Sequence, residues 1–208
     1  MAIDLLTRPE KISAAIAALP ALPRLEGTRV RLRPVRDDDG DVDGLYEIFS
    51  DPRVMRWWSR PPLTSREEAV TYAQSIRDGF AQRTLLNWIL ADRHSDACIG
   101  STTLYALDPH HLRGEVGYAL AHAHWGRGLA REAVALALDF GFHALHLNRI
   151  AADVAPGNDA SCAVLTHLGF QHEGCLRASF NTGLELQDSL IYGLLAEEWA
   201  ARREPSRD

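Results

Sequence analysis

Gly114-Glu115-Val116-Gly117-Tyr118-Ala119-Leu120, and after a four-residue spacer Trp125-Gly126-Arg127-Gly128-Leu129-Ala130-Arg131-Glu132-Ala133, is the stretch on which the fold turns. Its first half reads as a strand over about 114–121, entered from the turn Asp108-Pro109. Its second half is a glycine loop that runs into a long apolar helix from Leu129 to about His143. Gly126 and Gly128 carry no Cβ, so the backbone there can come close to a ligand. A helix start presents unpaired N–H groups and the positive end of its dipole, which suits a phosphate or pyrophosphate. Arg127 and Arg131 add positive charge beside it. The same residues also suit a tight strand-to-helix turn that holds no ligand. Neither G-x-x-x-x-G-K-[ST] nor a G-x-G-x-x-G opening an early βαβ unit is present.

Working outward, residues 85–91 and 98–106 read as a strand pair joined by the polar turn 92–97. Thr28 to Arg33 alternates polar and apolar, a strand with one wet face. Asp37-Asp38-Asp39 precedes a helix carrying Val42, Leu45, Tyr46, Ile48 and Phe49, where negative charge complements the helix dipole. Thr64 and Glu67 have capping-box spacing before a further helix. Residues 7–19 read as a short amphipathic helix, with Thr7 as cap and Pro9 in its first turn. Downstream, a buried strand over 149–154 turns at Pro156-Gly157-Asn158 into a helix ending near Gly169. Strands over 171–180 and 186–195 follow. The order β-α-α-β-β-β-α-β-α-β-β implies one α/β domain with a mixed sheet over residues 25–200. Residues 1–24 read as an N-terminal helical extension and 201–208 as a polar tail.

With 208 residues, 46% hydrophobic and 24% charged, the chain can bury one sizeable core. The net charge of −6 speaks against nucleic-acid binding, which needs a basic face. It suits a cationic acceptor such as an amine, or solubility alone. Three cysteines without C-x-x-C spacing suggest neither a disulfide framework nor a zinc site. The His122-x-His124 and His110-His111 pairs lack further ligand company, so no metal is expected. No run of about 18 apolar residues suggests a membrane span, and no apolar leader is evident. A cytoplasmic location is the default expectation.

The quoted stretch resembles the core motif of the GCN5-related N-acetyltransferases, which carry Q/R-x-x-G-x-G/A at this place. Here Trp125 stands for the usual Gln or Arg and Ala130 fills the last small position. The Trp variant resembles the ribosomal-protein (RimJ/RimL-like) branch, which acetylates protein N-termini. Other segments agree in order: Leu32-Arg33-Pro34, Asp51-Pro52-Arg53-Val54, Ile99-Gly100, Asn158-Asp159-Ala160-Ser161, Leu168-Gly169-Phe170, Asp188, Tyr192 to Leu195 and Glu198-Trp199. The resemblance covers roughly residues 25–200. It implies a central, mostly antiparallel sheet with a splayed parallel strand pair and helices on both faces.

The resemblance also implies acetyl-CoA as co-substrate and direct transfer to a primary amine, a protein N-terminus or small molecule, with a homodimer compatible. Trp125, Gly126, Arg127, Gly128, Leu129 and Ala130 would hold the pyrophosphate. Tyr118, Ala119 and Leu120 would line the pantetheine, with a backbone N–H near Leu120 facing the thioester oxygen. Asn158 would lie near the cofactor, or serve as an Asx-type helix cap. Glu115 and Asp153 are both candidates to take the amine proton, and an N-terminal amine needs little help. Many relatives place a Tyr seven residues after the Asn as acid; here that residue is Leu165. Ser161 is the candidate replacement, through a hydrogen bond to sulfur. Cys162 reads as a small packing residue rather than a nucleophile. Trp57-Trp58 suit an acceptor pocket, a subunit contact or core packing alike. A non-catalytic acetyl-CoA sensor is the competing reading.

Overall fold

The computed structural model describes residues 7–182 and 185–203. In chain order the elements are α1 (Arg8–Ala17), β1 (Leu25–Glu26), β2 (Val30–Arg33), α2 (Asp39–Ser50), α3 (Pro52–Met55), α4 (Arg66–Ala81), β3 (Leu85–Asp92), β4 (Cys98–Asp108), β5 (Arg113–Leu120), α5 (Leu129–Asp139), β6 (Arg149–Val154), α6 (Asp159–Leu168), β7 (Gln171–Asn181), β8 (Leu186–Leu195) and α7 (Ala196–Arg203). One eight-stranded sheet runs β1-β2-β3-β4-β5-β6-β8-β7. Every neighbouring pair is antiparallel except β5 with β6. This is the mixed sheet that the element order and the resemblance led us to expect.

Both faces of the sheet are covered, and β3 shows how. Leu86, Trp88 and Leu90 point into the cluster built with α1, α5 and α6. Ile89 and Ala91, at the alternate positions, join the cluster of α2, α3 and α4. Burial on both sides explains the apolar run Trp88 to Ala91, and the buried amide of Asn87 before it is satisfied by Ser101 and Thr103. Ile12 and Ile16 of α1 are buried in the first cluster. The segment after α1 is tied down by Trp88, whose indole N–H donates to the Pro23 carbonyl at 2.8 Å.

The parallel pair positions the site. β5 and β6 are in register only at Arg113↔Arg149, Gly114↔Ile150 and Glu115↔Ala151. Beyond Glu115 the strands diverge: β5 stays with β4 to Leu120, and β6 stays with β8 to Val154. The sheet therefore opens as a wedge whose β5 wall has unpaired backbone. Ala121 N–H bonds the Ile99 carbonyl on β4. Strand alternation then turns the N–H and C=O of Ala119 toward β4, and those of Tyr118 and Leu120 into the wedge.

Several local readings shift. The capping box lies one residue later: Ser65 Oγ accepts from Glu68 N–H, while the Glu68 carboxylate takes Thr64 N–H at 2.7 Å. Thr7 occupies the N-cap of α1 without a side-chain cap bond. The wet face expected on β2 fails at Arg33, which is fully buried because Asp41 on α2 meets it with two hydrogen bonds. The long helix after the glycine loop leaves α-geometry at Asp139 and ends in a π-helical turn, Phe140–Ala144. Gly141 in that turn packs directly on Ile150, where an added Cβ would come within 2.7 Å. Of the expected polar tail, residues 201–203 complete α7, and the rest lies outside the described residues.

Candidate active site

A cavity of about 1510 Å³ fills the wedge and opens toward α3 and the loop after it. It brings together Glu115, Tyr118, Ala119, Leu120, Trp125, Gly126, Gly128, Leu129, Ala130, Asp153, Asn158 and Ser161, residues far apart in sequence. Of the expected site residues only Arg127 is not among those lining it; its guanidinium turns to His124, 3.3 Å away.

At the α5 end, Gly126 and Gly128 both have left-handed backbone, with φ of 71° and 72°. Gly128 is the N-cap of α5, and no side chain caps the first turn. The first-turn N–H groups are thus not taken by a capping side-chain oxygen. A Cβ on Gly126 would meet nothing within 4 Å, while one on Gly128 would stand 3.5 Å from Arg29 and 3.9 Å from Arg131. The cradle therefore has room and flanking positive charge, which fits a pyrophosphate.

Arg29, unassigned from sequence, braces this loop. Its guanidinium donates to the carbonyls of Arg127 (2.7 Å) and Gly128 (3.3 Å), which ties the loop to the segment before β2. Glu132 on α5 holds Arg29 through its backbone N–H (2.7 Å) and its Nε (2.9 Å). Burial alone would raise the Glu132 carboxyl; the hydrogen bonds from Arg29 and the Val30 amide outweigh it and hold it below the usual range. Trp125 has its one N–H donor committed to the Leu120 carbonyl at 2.7 Å, so it clips the loop to the end of β5. That leaves the Leu120 N–H facing the wedge.

On α6, Asn158 is the N-cap: its Oδ1 accepts from Ser161 N–H at 3.2 Å. Ser161 Oγ lies 2.7 Å from the Tyr118 hydroxyl. Cys162, beside it, is not among the cavity-lining residues.

On the opposite wall, Tyr105 stands beside both Glu115, its cross-strand partner, and Asp153. Its hydroxyl donates to Asp153 Oδ1 at 3.3 Å, and Ser189 donates to Oδ2 at 3.4 Å. Burial, then the nearby Asp153 and Glu115 charges, push the Tyr105 phenol far above its ordinary value, so it remains a neutral donor. Trp57 and Trp58 line the mouth; Trp58 also packs edge-on to Phe49 at 5.2 Å, and Arg56 lies over Trp57 at 4.4 Å. The alternation of β4 marks the face that Tyr105 occupies, but nothing local says that β6 brings a carboxylate there.

Residues 29–171 match the acetyltransferase (GNAT) domain family. The chain is 36% identical to an uncharacterized N-acetyltransferase, p20, of Bacillus licheniformis, over 83% of this chain and 96% of that one. It is 26% identical to a spermidine N(1)-acetyltransferase of Vibrio cholerae, over 79% and 93%. Among solved structures, Mycobacterium smegmatis RimJ in complex with CoA-disulfide shares the fold, with a TM-score of 0.74, 24% identity, and coverage of 87% and 95%. The wedge, the glycine cradle and these likenesses converge: the chain belongs to the GNAT acetyltransferase family and is an acetyl-CoA-dependent N-acetyltransferase.

Proposed function

We propose that the protein transfers the acetyl group directly, in a ternary complex, to the amine of a protein N-terminus or a small monoamine, as the ribosomal-protein branch does. The observation that carries this reading is the Glu115–Tyr105–Asp153 cluster in the wall of the cavity that also holds the cradle. CoA would lie with its pyrophosphate on residues 126–130 and its pantetheine along the free edge of Tyr118 and Leu120. The bound group supplies the activated thioester. The Leu120 N–H would face the oxygen that gains negative charge during attack.

The carboxylates would draw in an ammonium and accept its proton, Asp153 with only long contacts from the Tyr105 and Ser189 hydroxyls and Glu115 beside it. Charge supports a single cationic group on the acceptor. Of the three guanidiniums that line the cavity, Arg53 is held by Asp51 and Arg131 flanks the cradle, so Arg56 is the cation an acceptor would meet at the mouth. The second ammonium of a polyamine would meet Arg56 there. A cytoplasmic site of action goes with this reading; no helix among the described residues is long and apolar enough to cross a membrane. Self-association also fits, through edge strand β7 and its neighbour, where Leu176 and Leu186 are exposed.

The test is acceptor-dependent release of CoA thiol from acetyl-CoA across N-terminal peptides, monoamines and spermidine. Peptides or monoamines should exceed spermidine by at least about tenfold in kcat/KM, the scale of one unfavourable charge contact. Glu115→Gln and Asp153→Asn are assayed alongside, and the one that takes the proton should lose about 100-fold in kcat. Spermidine as the best acceptor would contradict the acceptor assignment. Full kcat in both variants would remove the carboxylates from proton transfer.

A further inference from the structure

We infer that Tyr118 is a positioning residue for the leaving group: its phenol donates to Ser161 Oγ and so directs the serine O–H at the thioester sulfur. The inference rests on the transfer reaction proposed above. Val116, Tyr118 and Leu120 share one face of β5, and there the Tyr118 side chain packs against the core layer that includes α6. Its hydroxyl stands 2.7 Å from Ser161 Oγ and 3.3 Å from the Ser161 carbonyl.

A serine hydroxyl has one hydrogen and two acceptor positions, so two arrangements satisfy these distances. In the first, Ser161 donates to Tyr118, and Tyr118 donates to the Ser161 carbonyl. That second bond is long for O–H···O, whose ordinary range ends near about 3.0 Å. In the other, Tyr118 donates to Oγ at an ordinary length, and the serine hydrogen is released to point into the cavity that Ser161 lines. A sulfur gaining negative charge favours the second arrangement, because only that one offers it a donor. Burial raises the Tyr118 phenol well above its usual value, and this outweighs the lowering effect of the Ser161 bond. Tyr118 thus stays a neutral O–H donor over the working pH range. Leu165, one turn further along α6, is fully buried and brings no hydroxyl. Ser161 N–H is already held by Asn158, so the backbone of this turn is fixed and only the hydroxyl rotor needs orienting.

In the step itself the amine lone pair forms the C–N bond, and the C–S bond breaks with its electrons going to sulfur. The amine proton goes to the carboxylate cluster. Sulfur accepts the Ser161 hydrogen bond and neither hydroxyl gives up its proton; water protonates the thiolate, and the hydroxide so formed takes the amine proton back from the carboxylate cluster, which restores the carboxylate.

The experiment measures kcat and the acetyl-CoA KM for the wild type, Tyr118→Phe, Ser161→Ala and the double variant, with the best amine acceptor or with water. Ser161→Ala should lower kcat about 10- to 100-fold, the worth of a hydrogen bond to a charged atom. Tyr118→Phe should lower it about 3- to 10-fold, with KM within about threefold of wild type. The double variant should match Ser161→Ala within about twofold, because Tyr118 acts only through Ser161. Wild-type kcat in Tyr118→Phe, or losses that multiply in the double variant, would overturn the inference. If Tyr118→Phe does not fold, Ser161→Ala decides: unchanged kcat overturns the inference, and the stated loss supports it. A wild type that turns over while its variants are unimpaired defeats this inference alone. A wild type that releases thiol to no acceptor, amine or water, defeats it together with the proposed function.

Discussion

Gly128→Glu is expected to abolish the acetyl-CoA-dependent rise in thermal midpoint. A ligand at about 100 times its Kd stabilises the folded state by about 2.7 kcal/mol. For a chain of this size each kcal/mol moves the midpoint by about 2–4 °C, so the wild type should rise by roughly 5–11 °C. Position 128 sits at φ 72°, flanked by Arg29 and Arg131. A glutamate there carries about 1–2 kcal/mol of left-handed backbone strain and puts a carboxylate where the pyrophosphate would lie. Gly128→Ala separates the two effects: it keeps the strain, omits the charge, and should retain a reduced shift. Arg29→Met removes the brace on the loop carbonyls and should weaken acetyl-CoA binding about tenfold, the loss of roughly one charge-assisted hydrogen bond. A full thermal shift in Gly128→Glu would mean that the loop is only a turn.

The second large effect concerns stability. Asp41→Ala should cost about 3–5 kcal/mol, a fall in midpoint of roughly 6–20 °C. The Arg33 and Asp41 side chains are 1% and 0% exposed and share two hydrogen bonds of 2.6 and 2.7 Å. Arg33 also donates to the Asp96 carbonyl (2.9 Å), and Asp41 accepts the Arg36 N–H (2.7 Å). Truncating Asp41 leaves the buried guanidinium with only Asp96 as counter-charge, at 3.2 Å and shared with Arg31 and Arg36. Replacing the pair together, as Arg33→Met with Asp41→Leu, should recover much of the loss, because the desolvation of both charges is then avoided. Burial alone would raise the Asp41 carboxyl; the hydrogen bonds from Arg33 and the Arg36 amide outweigh it and hold it below its ordinary value. A depressed folded value means that the pair's stabilisation is complete above the unfolded carboxylate range, about pH 4. It is lost as pH falls through the lower folded value. Acid denaturation of Asp41→Ala should accordingly show a shallower pH dependence below about pH 4 than the wild type. An unchanged midpoint would contradict this assignment.

These two regions differ in how far sequence could read them. The cradle was legible because its features are local. Two glycines before an apolar periodic run permit a close backbone approach and mark a helix start, with no distant partner needed. The cap at Asn158 was legible as an alternative for the same reason, its partner being three residues away. Arg33 was misread because alternation tells which face a residue occupies and not what packs on that face; Asp96 reaches it from 63 residues away. Arg29 likewise meets Glu132 across 103 positions. Tyr118 was assigned through its backbone, but its side chain reaches Ser161 across 43 positions. The mixed sheet followed from element order, while the depth of the wedge depends on where β5–β6 register stops, which no local pattern encodes.

CoA is expected to occupy that wedge, and the most direct measurement is a crystal structure of the protein grown with CoA. The expected density places the pyrophosphate on the N–H groups of residues 126–130 and the pantetheine against the backbone of Tyr118 and Leu120. The sulfur should lie within hydrogen-bond reach of Ser161 Oγ, on the side toward Glu115 and Asp153. CoA bound elsewhere, or a wedge that stays free of it at saturating concentration, would contradict the account.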